Sequence, residues 1–516
     1  MVRRWLIVLT LTLAVAAHAD ADPAAEAVRE GVRKAVGYEA FRKLEHGVEL
    51  GGKAEFNGLP GTFRLRLHPD GRYATVIDAK AAYAEGFDGK TRWTRTFTNP
   101  ATPTDLVAAD AARFYYGFLT HRWLAPDGGF TAATDPRESR PYRPCVVVRH
   151  PDCPGVAARV YTDPTTGLPT RYSVFIGPSE SVVEVADWRD VGGAKIPGRV
   201  AVGRYAGGYI LAADTAAAAA PAGADVFALP APAADIRFDP AKAPAAEAQL
   251  TKKLGFLLVR PTVNGKAGPW LALTTSASSS AVTAAAADAL GLPVFGKTAA
   301  TRLGGIDSRF RVADTFAVGP AAVSGLVLIE LPADGMAELS KQAGVEIGGV
   351  LGGDLLARVV LEADWGAGTA AVHDPRAYRA APGLAWEAVR FGHAAPCVSG
   401  TFEGRHTGLF EFATATDGTL MFTPGAVRGR DLLAGRQTEP FLVHGVDGAT
   451  QAYRGTGAEF RVLGRTLRQV ETRFVTGEFG VETYPYALGA FGPAALGPGT
   501  VVFDYPNRRI GFTPRP

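Results

Sequence analysis

Two stretches of the 516-residue chain hold the residues whose types and spacing bear on chemistry. One is Leu271-Ala272-Leu273-Thr274-Thr275-Ser276-Ala277-Ser278-Ser279-Ser280. The other is Phe410-Glu411-Phe412-Ala413-Thr414-Ala415-Thr416-Asp417-Gly418-Thr419. Each is an apolar strand running into small hydroxyl and alanine residues. Thr274 and Ala413 stand 139 residues apart. General acid–base work on a water needs a carboxylate or imidazole near the operating pH, and neither a threonine hydroxyl nor an alanine methyl supplies one.

Other carboxylates lie close by in sequence. Asp417 follows Ala413 by four residues, and its expected role is that of a turn aspartate. Asp354 follows Gly352-Gly353 and is expected to cap a helix. Asp364 and Asp504 match each other and fall on closing strands. Glu411 alternates with Phe410 and Phe412, so it points to the opposite face of its strand. No Ser-His-Asp set, metal-ligand spacing or phosphate loop stands out, and no cofactor is expected. His150, His373 and His406 are scattered and expected at the surface.

The elements that must position these stretches recur with the same period. Gly265 and Gly404 each precede the key loop residue by nine. Gly352 follows Thr274 by 78, and Gly492 follows Ala413 by 79. Asp364 and Asp504 come twelve residues after those glycines. Anchors constant to within one residue predict an internal repeat.

Each repeat resembles one lobe of the pepsin and retropepsin superfamily of aspartic proteases. The incoming hairpin Phe256 to Gly265 leads to the loop, and a short helix is expected over Ala281 to Leu290. Leu303-Gly304-Gly305 and Val446-Asp447-Gly448 stand where the family's flap glycines fall. Gly349-Val350-Leu351-Gly352 and Gly489-Ala490-Phe491-Gly492 match its hydrophobic-hydrophobic-Gly signature, and Val501 to Phe512 its closing strand. The resemblance implies that Thr274 and Ala413 occupy the positions of the two catalytic aspartates. Thr275 and Thr414 keep the motif threonine, whose hydroxyl bonds across to the other loop. Ser276 and Ala415 replace the motif glycine, while Gly352 and Gly492 brace the loops.

The first part of the chain has another character. A helix is expected over 24 to 45, broken near Gly37, followed by alternating strands. The phrases Gly86-Phe87-Asp88-Gly89-Lys90-Thr91-Arg92-Trp93, Asp163-Pro164-Thr165-Thr166-Gly167-Leu168-Pro169 and Asp187 to Pro197 resemble the periplasmic lipoprotein carrier and sorting (LolA-like) family. That resemblance implies an incomplete antiparallel β-barrel with helices at its mouth and a concave apolar face able to hold acyl chains.

The expected fold class is mainly β with a few helices (α+β). The expected boundaries are a signal peptide at 1–19, a half-barrel domain at 20–230, an Ala/Pro-rich linker at 231–249, and two protease-like lobes at 250–378 and 379–516. Arg3 and Arg4, the apolar run Trp5 to Ala17 and Ala17-His18-Ala19 predict an exported chain cut after Ala19, periplasmic or secreted. No later segment predicts a transmembrane helix. Lys plus Arg number 54 and Asp plus Glu 51, a formal +3, which argues against nucleic-acid binding. Cys145 and Cys153 could close a hairpin disulfide or remain free, and Cys397 is expected to be a buried small hydrophobe. Three functions follow as expectations. The first is a pseudo-enzyme that binds a peptide, lipid or lipoprotein partner. The second is an aspartic endopeptidase using non-aligned carboxylates, Asp417 foremost. The third is a lipid or lipoprotein carrier.

Overall fold

The computed structural model describes residues 22–515 apart from 177–178, 204–207, 222, 224–225, 232–233, 252, 299–307, 333, 393–394, 416–419, 446–447 and 478–485. Residues 1–21, where the signal peptide is expected, together with Asp417, Leu303-Gly304-Gly305 and Val446-Asp447, lie outside the described residues. The chain is mostly strand, as the alternating patterns predict. Among the described residues no helix is long and apolar enough to cross a membrane.

The N-terminal part is one antiparallel sheet of thirteen strands. Val48–Phe56 pairs with Tyr209–Ala218, and the sheet meanders outward from that pair to edge strands Thr102–Pro103 and Thr131–Thr134. The two edges do not meet, so the barrel is incomplete. Three helices lie on its inner face: α1 (Pro23–Ala35), α2 (Tyr38–Arg42) and α3 (Leu106–Leu119). Asp22 caps α1 through the Ala24 and Ala25 N–H groups, and Pro23 follows at the first helical position, where no amide is needed. Gly37 turns the chain into α2 at φ 62°, and a Cβ there would sit 2.0 Å from the Gly193 carbonyl oxygen. Only glycine fits both conditions.

The Ala/Pro-rich stretch departs from the linker expectation. Ile236–Phe238 pairs with Ala321–Val323, Ala245–Ala246 with Ala370–Ala371, and Ala248–Leu250 with Leu257–Val259. Composition misled here because backbone pairing is indifferent to side-chain bulk, and tertiary context overrides weak strand propensity.

The C-terminal part holds two lobes with the same strand pairing. In the first, Trp270–Leu273 runs parallel to Ile347–Leu351, which pairs antiparallel with Ala281–Thr283, itself parallel to Ala321–Leu331. In the second, His406–Phe412 runs parallel to Ala487–Phe491, which pairs antiparallel with Leu420–Phe422, itself parallel to Arg465–Val475. The expected helix at 281 is therefore a strand for three residues and a helix only over Ala284–Leu290. Both incoming hairpins turn on a positive-φ pair, Asn264-Gly265 and Glu403-Gly404, the geometry that suits tight two-residue hairpins. A third sheet of six strands joins the lobes: Val360–Asp364 pairs with Gly499–Asp504. Asp364 and Asp504 sit there, where Asp364 accepts from Arg515 and Thr500, and Asp504 from Asn507 and Arg509.

The barrel core and the lobes are not separate bodies. Phe295, Phe310 and Val327 of the first lobe belong to the same buried cluster as Phe56 and Tyr83 of the barrel, and Phe97 meets Phe310 edge-on at 4.7 Å.

His150 departs from the surface expectation. It is 7% exposed, under Phe130 and beside Arg113, whereas His373 and His406 are half-buried. His121 lies deeper still, 1% exposed, edge-on to Phe41 and 3.2 Å from the Lys195 carbonyl. Burial lowers the His121 pKa from 6.5 to about 4, so the folded chain keeps it neutral where the unfolded chain takes up a proton. Stability is then complete above pH 6.5 and falls as pH drops toward 4. The expected loss from this residue is about 3 kcal/mol, and His150 and His406, also lowered by burial, add to it in the same direction. Urea unfolding across pH 4–7 should show this decline. His121→Asn, which tolerates the φ of 55°, should flatten most of it. An unchanged slope would contradict the assignment.

Candidate functional site

The two loops meet at a pair of threonines. The Thr275 N–H donates to Thr414 Oγ1 at 3.0 Å, and the Thr414 N–H donates to Thr275 Oγ1 at 3.1 Å. Each hydroxyl in turn donates to the carbonyl of the residue two before the other threonine: Thr275 Oγ1 to Phe412 at 2.6 Å, Thr414 Oγ1 to Leu273 at 2.9 Å. Both side chains are buried, at 0% and 1% exposure. Four reciprocal bonds thus tie the lobes at one point, and each satisfies a backbone group that would otherwise be orphaned.

That lock orients the neighbouring positions. The Thr274 N–H donates to the Leu351 carbonyl, and the Ala413 N–H to the Phe491 carbonyl, both at 2.9 Å. Leu351 and Phe491 are the residues just before Gly352 and Gly492. Gly352 passes so close to the first loop that a Cβ would lie 2.7 Å from the Ser279 carbonyl carbon. Gly492 precedes the short turn Pro493–Leu496. Thr274 is 7% exposed and Ala413 half-buried, while Ser276 and Ala415 are exposed at the loop tips. The two tips therefore present a hydroxyl and a methyl to solvent.

Gly352 stands at the cap position of the helix Gly353–Leu356, and the Asp354 carboxylate accepts the Leu355 N–H in its first turn at 2.9 Å. The same carboxylate also reaches Ser280, accepting the hydroxyl at 2.6 Å and the N–H at 2.8 Å. Ser280 Oγ then accepts the Gly352 N–H at 3.0 Å. Asp354 has 0% exposure, and burial raises its pKa. It is a brace under the loop. Glu411 sits between buried Phe410 and Phe412 and is half-buried itself, as strand alternation predicts.

Several residues at the site carry no motif. Arg358 makes a bidentate pair with Asp235 and also donates to the Asp354 and Thr98 carbonyls. Thr98 Oγ1 lies 2.8 Å from Ser279 Oγ, and Asn99 Nδ2 donates to the Ser278 carbonyl at 2.9 Å. A barrel loop thus rests on the flank of the first lobe's key loop. The turn-forming run Thr96 to Pro100 was the only sequence signal for it.

The three thiols are free and buried. Burial is the main cause that raises Cys145 to about 11 and Cys153 to about 12. Cys397, 1% exposed, packs as a small apolar residue. Among the described residues no group of three or more His, Cys, Asp or Glu side chains is placed to hold a metal ion.

No protein-family model matches the chain, and no curated protein matches it. Solved structures similar to it fall into two groups. A LolA superfamily protein from Nitrosomonas europaea is 9% identical, covers 39% of this chain and 96% of its own, and has a TM-score of 0.27. An aspartic proteinase from Irpex lacteus is 12% identical, covers 53% of this chain and 97% of its own, with a TM-score of 0.34. The basic 7S globulin from soybean is likewise 12% identical, covering 53% and 95%, with a TM-score of 0.33.

The threonine lock makes a direct stability claim. Thr414→Val keeps the shape but leaves the Thr275 N–H and the Leu273 carbonyl unpaired in a buried site, a cost of about 3 kcal/mol. Thr275→Val should cost a similar amount, and Thr414→Ser less than about 1 kcal/mol. The double valine variant should lose less than the sum, since either change already loosens both loops. Denaturant midpoints measure all four, and strict additivity would show that the lock is not one unit.

Proposed function

We propose that the chain is an exported binding protein whose bilobal half is an aspartic-protease-like pseudo-enzyme. The observation that carries this reading is the threonine lock together with what flanks it. Thr275 and Thr414 hold the two loops face to face, and the positions so placed are Thr274 and Ala413. A carboxylate pair sharing one proton would be needed there to activate water. Hydroxyl and methyl groups cannot do it. The exposed tips at Ser276 and Ala415 favour a ligand held by neutral hydrogen bonds and apolar contact, such as an extended peptide. The proposed division keeps a half-barrel up to about residue 230 and two lobes after it, with the stretch between them woven into the lobes. Export is supported by the basic and apolar N-terminal segment ending at Ala19.

A second reading, a carrier of lipid or lipoprotein, has its own support in the barrel. Its inner face presents Tyr73 and Tyr172 to Tyr116 and Phe118 of α3, an aromatic lining suited to acyl chains once the helix moves aside. Mass spectrometry of lipid extracted from protein purified under native conditions tests it. Stoichiometric acyl lipid favours the carrier, and lipid-free protein counts against it.

The pseudo-enzyme reading predicts that purified chain leaves unfolded casein intact at pH 3–5 over hours, with or without pepstatin. Pepstatin-sensitive cleavage would overturn it. Asp417→Asn would then decide the source: abolished cleavage assigns the activity to that non-aligned carboxylate, and an unchanged rate excludes it.

A further inference from the structure

Helix α3 belongs to two cores at once. Toward the barrel it crosses from one arm of the open sheet to the other. The Tyr116 ring stacks on Tyr73 at 3.4 Å, and its hydroxyl lies 2.7 Å from both Glu85 and Thr75. Two residues later, on the other side of the helix, Phe118 stacks on Tyr172, on the opposite arm, at 4.3 Å. Toward the second lobe, Leu106 and Val107 bury against Cys397 and Ala487, with Leu409 packed beside them.

The second-lobe contacts are also polar. Asp105, just before the helix, accepts from the Arg508 guanidinium and from the Phe391 N–H, the latter at 3.0 Å. Asp110, one turn in, accepts from the Tyr486 hydroxyl. Between them Leu106 holds φ 48°, in the left-handed region that a side chain with a Cβ seldom adopts. Such a conformation persists only where its surroundings impose it, and here the surroundings are the second lobe.

We propose that the second lobe latches α3 across the concave face of the barrel, so that the barrel interior opens only when the Asp105–Arg508 and Asp110–Tyr486 contacts release. The latch accounts for both halves of the observation. The helix supplies the hydroxyl that satisfies the buried Glu85 and Thr75, and it is pinned from outside by groups that belong to a different lobe. Coupling of this kind is reciprocal. A ligand that enters the barrel and displaces Tyr116 must loosen the second lobe, and a change that withdraws Arg508 or Tyr486 must free the helix. The purpose of the latch rests on the barrel's being a ligand-holding domain, but the helix's own mobility does not.

The test is hydrogen exchange by mass spectrometry on the full chain, comparing the parent with Tyr486→Phe and with Tyr486→Phe/Arg508→Gln. The single change removes one hydroxyl and keeps the fold secure. Amides of residues 110–119 should exchange about tenfold faster in the double variant, and less so in the single one, while those of Val48–Phe56 keep parental protection. Parental protection of the helix in both variants would overturn the proposal. So would an equal loss across Val48–Phe56, because α3 would then be an ordinary part of one cooperative core. The apolar fluorophore N-phenyl-1-naphthylamine, added to the same samples, separates the two layers. Faster exchange with new fluorescence supports both the latch and a ligand-holding barrel. Faster exchange with no probe uptake supports the latch and counts against the barrel as a ligand site.

Discussion

Everything in the C-terminal half depends on the crossed pair Thr275 and Thr414. Two loops from different lobes, rich in small residues, have little apolar area with which to hold each other. Four short buried hydrogen bonds do it instead. Threonine suits the place because one hydroxyl can accept from an N–H and donate to a carbonyl at the same time. The arrangement is indifferent to what stands one residue earlier. This is why Thr274 and Ala413 can sit in it without loss of the fold.

The lock is in turn held from behind. Asp354 fixes Ser280, Ser280 fixes the Gly352 amide, and Arg358 ties the carbonyl of Asp354 to Asp235 and to Thr98 of the barrel. A carboxylate at 0% exposure is costly unless its hydrogen bonds are complete, and those of Asp354 come from Ser280 of the loop it supports and from the Leu355 N–H of its own helix. The barrel therefore touches the key loop of the first lobe through Thr98 and Asn99, and the second lobe through α3. It straddles both.

Much of this was legible in the residues, and the failures have physical reasons. Fixed spacings to Gly352, Gly492, Asp364 and Asp504 placed the two loops and their braces, because close backbone approach and hairpin turns demand particular residue types at particular distances. Alternation in Phe63, Leu65 and Leu67 gave the barrel strands. The alanines and prolines of 231–249 read as a linker, since composition reports side-chain bulk and not which amides find partners. His150 read as a surface residue because nothing in its neighbourhood announces Phe130 and Arg113 folding over it. Arg358, Asp235, Thr98 and Asn99 were invisible for the same reason: their partners lie more than a hundred residues away or on another domain. Asp354 was read only for its local helix end, where it does accept the Leu355 N–H, and its bond to a serine 74 residues earlier left no local trace.

The six-stranded sheet shared by the lobes has a bearing on how such a chain comes to be folded. Val360–Asp364 receives its second neighbour only from Gly499–Asp504, far downstream in sequence. As synthesis proceeds from the N-terminus, the first lobe is long finished in sequence while one edge of this strand still lacks its partner. An unpaired edge of Val, Leu and Ala is a template for the wrong strand. The strand Gly499–Asp504 thus acts as a seal on a lobe made well before it, and a polypeptide without that strand leaves the edge open however completely its earlier parts have formed.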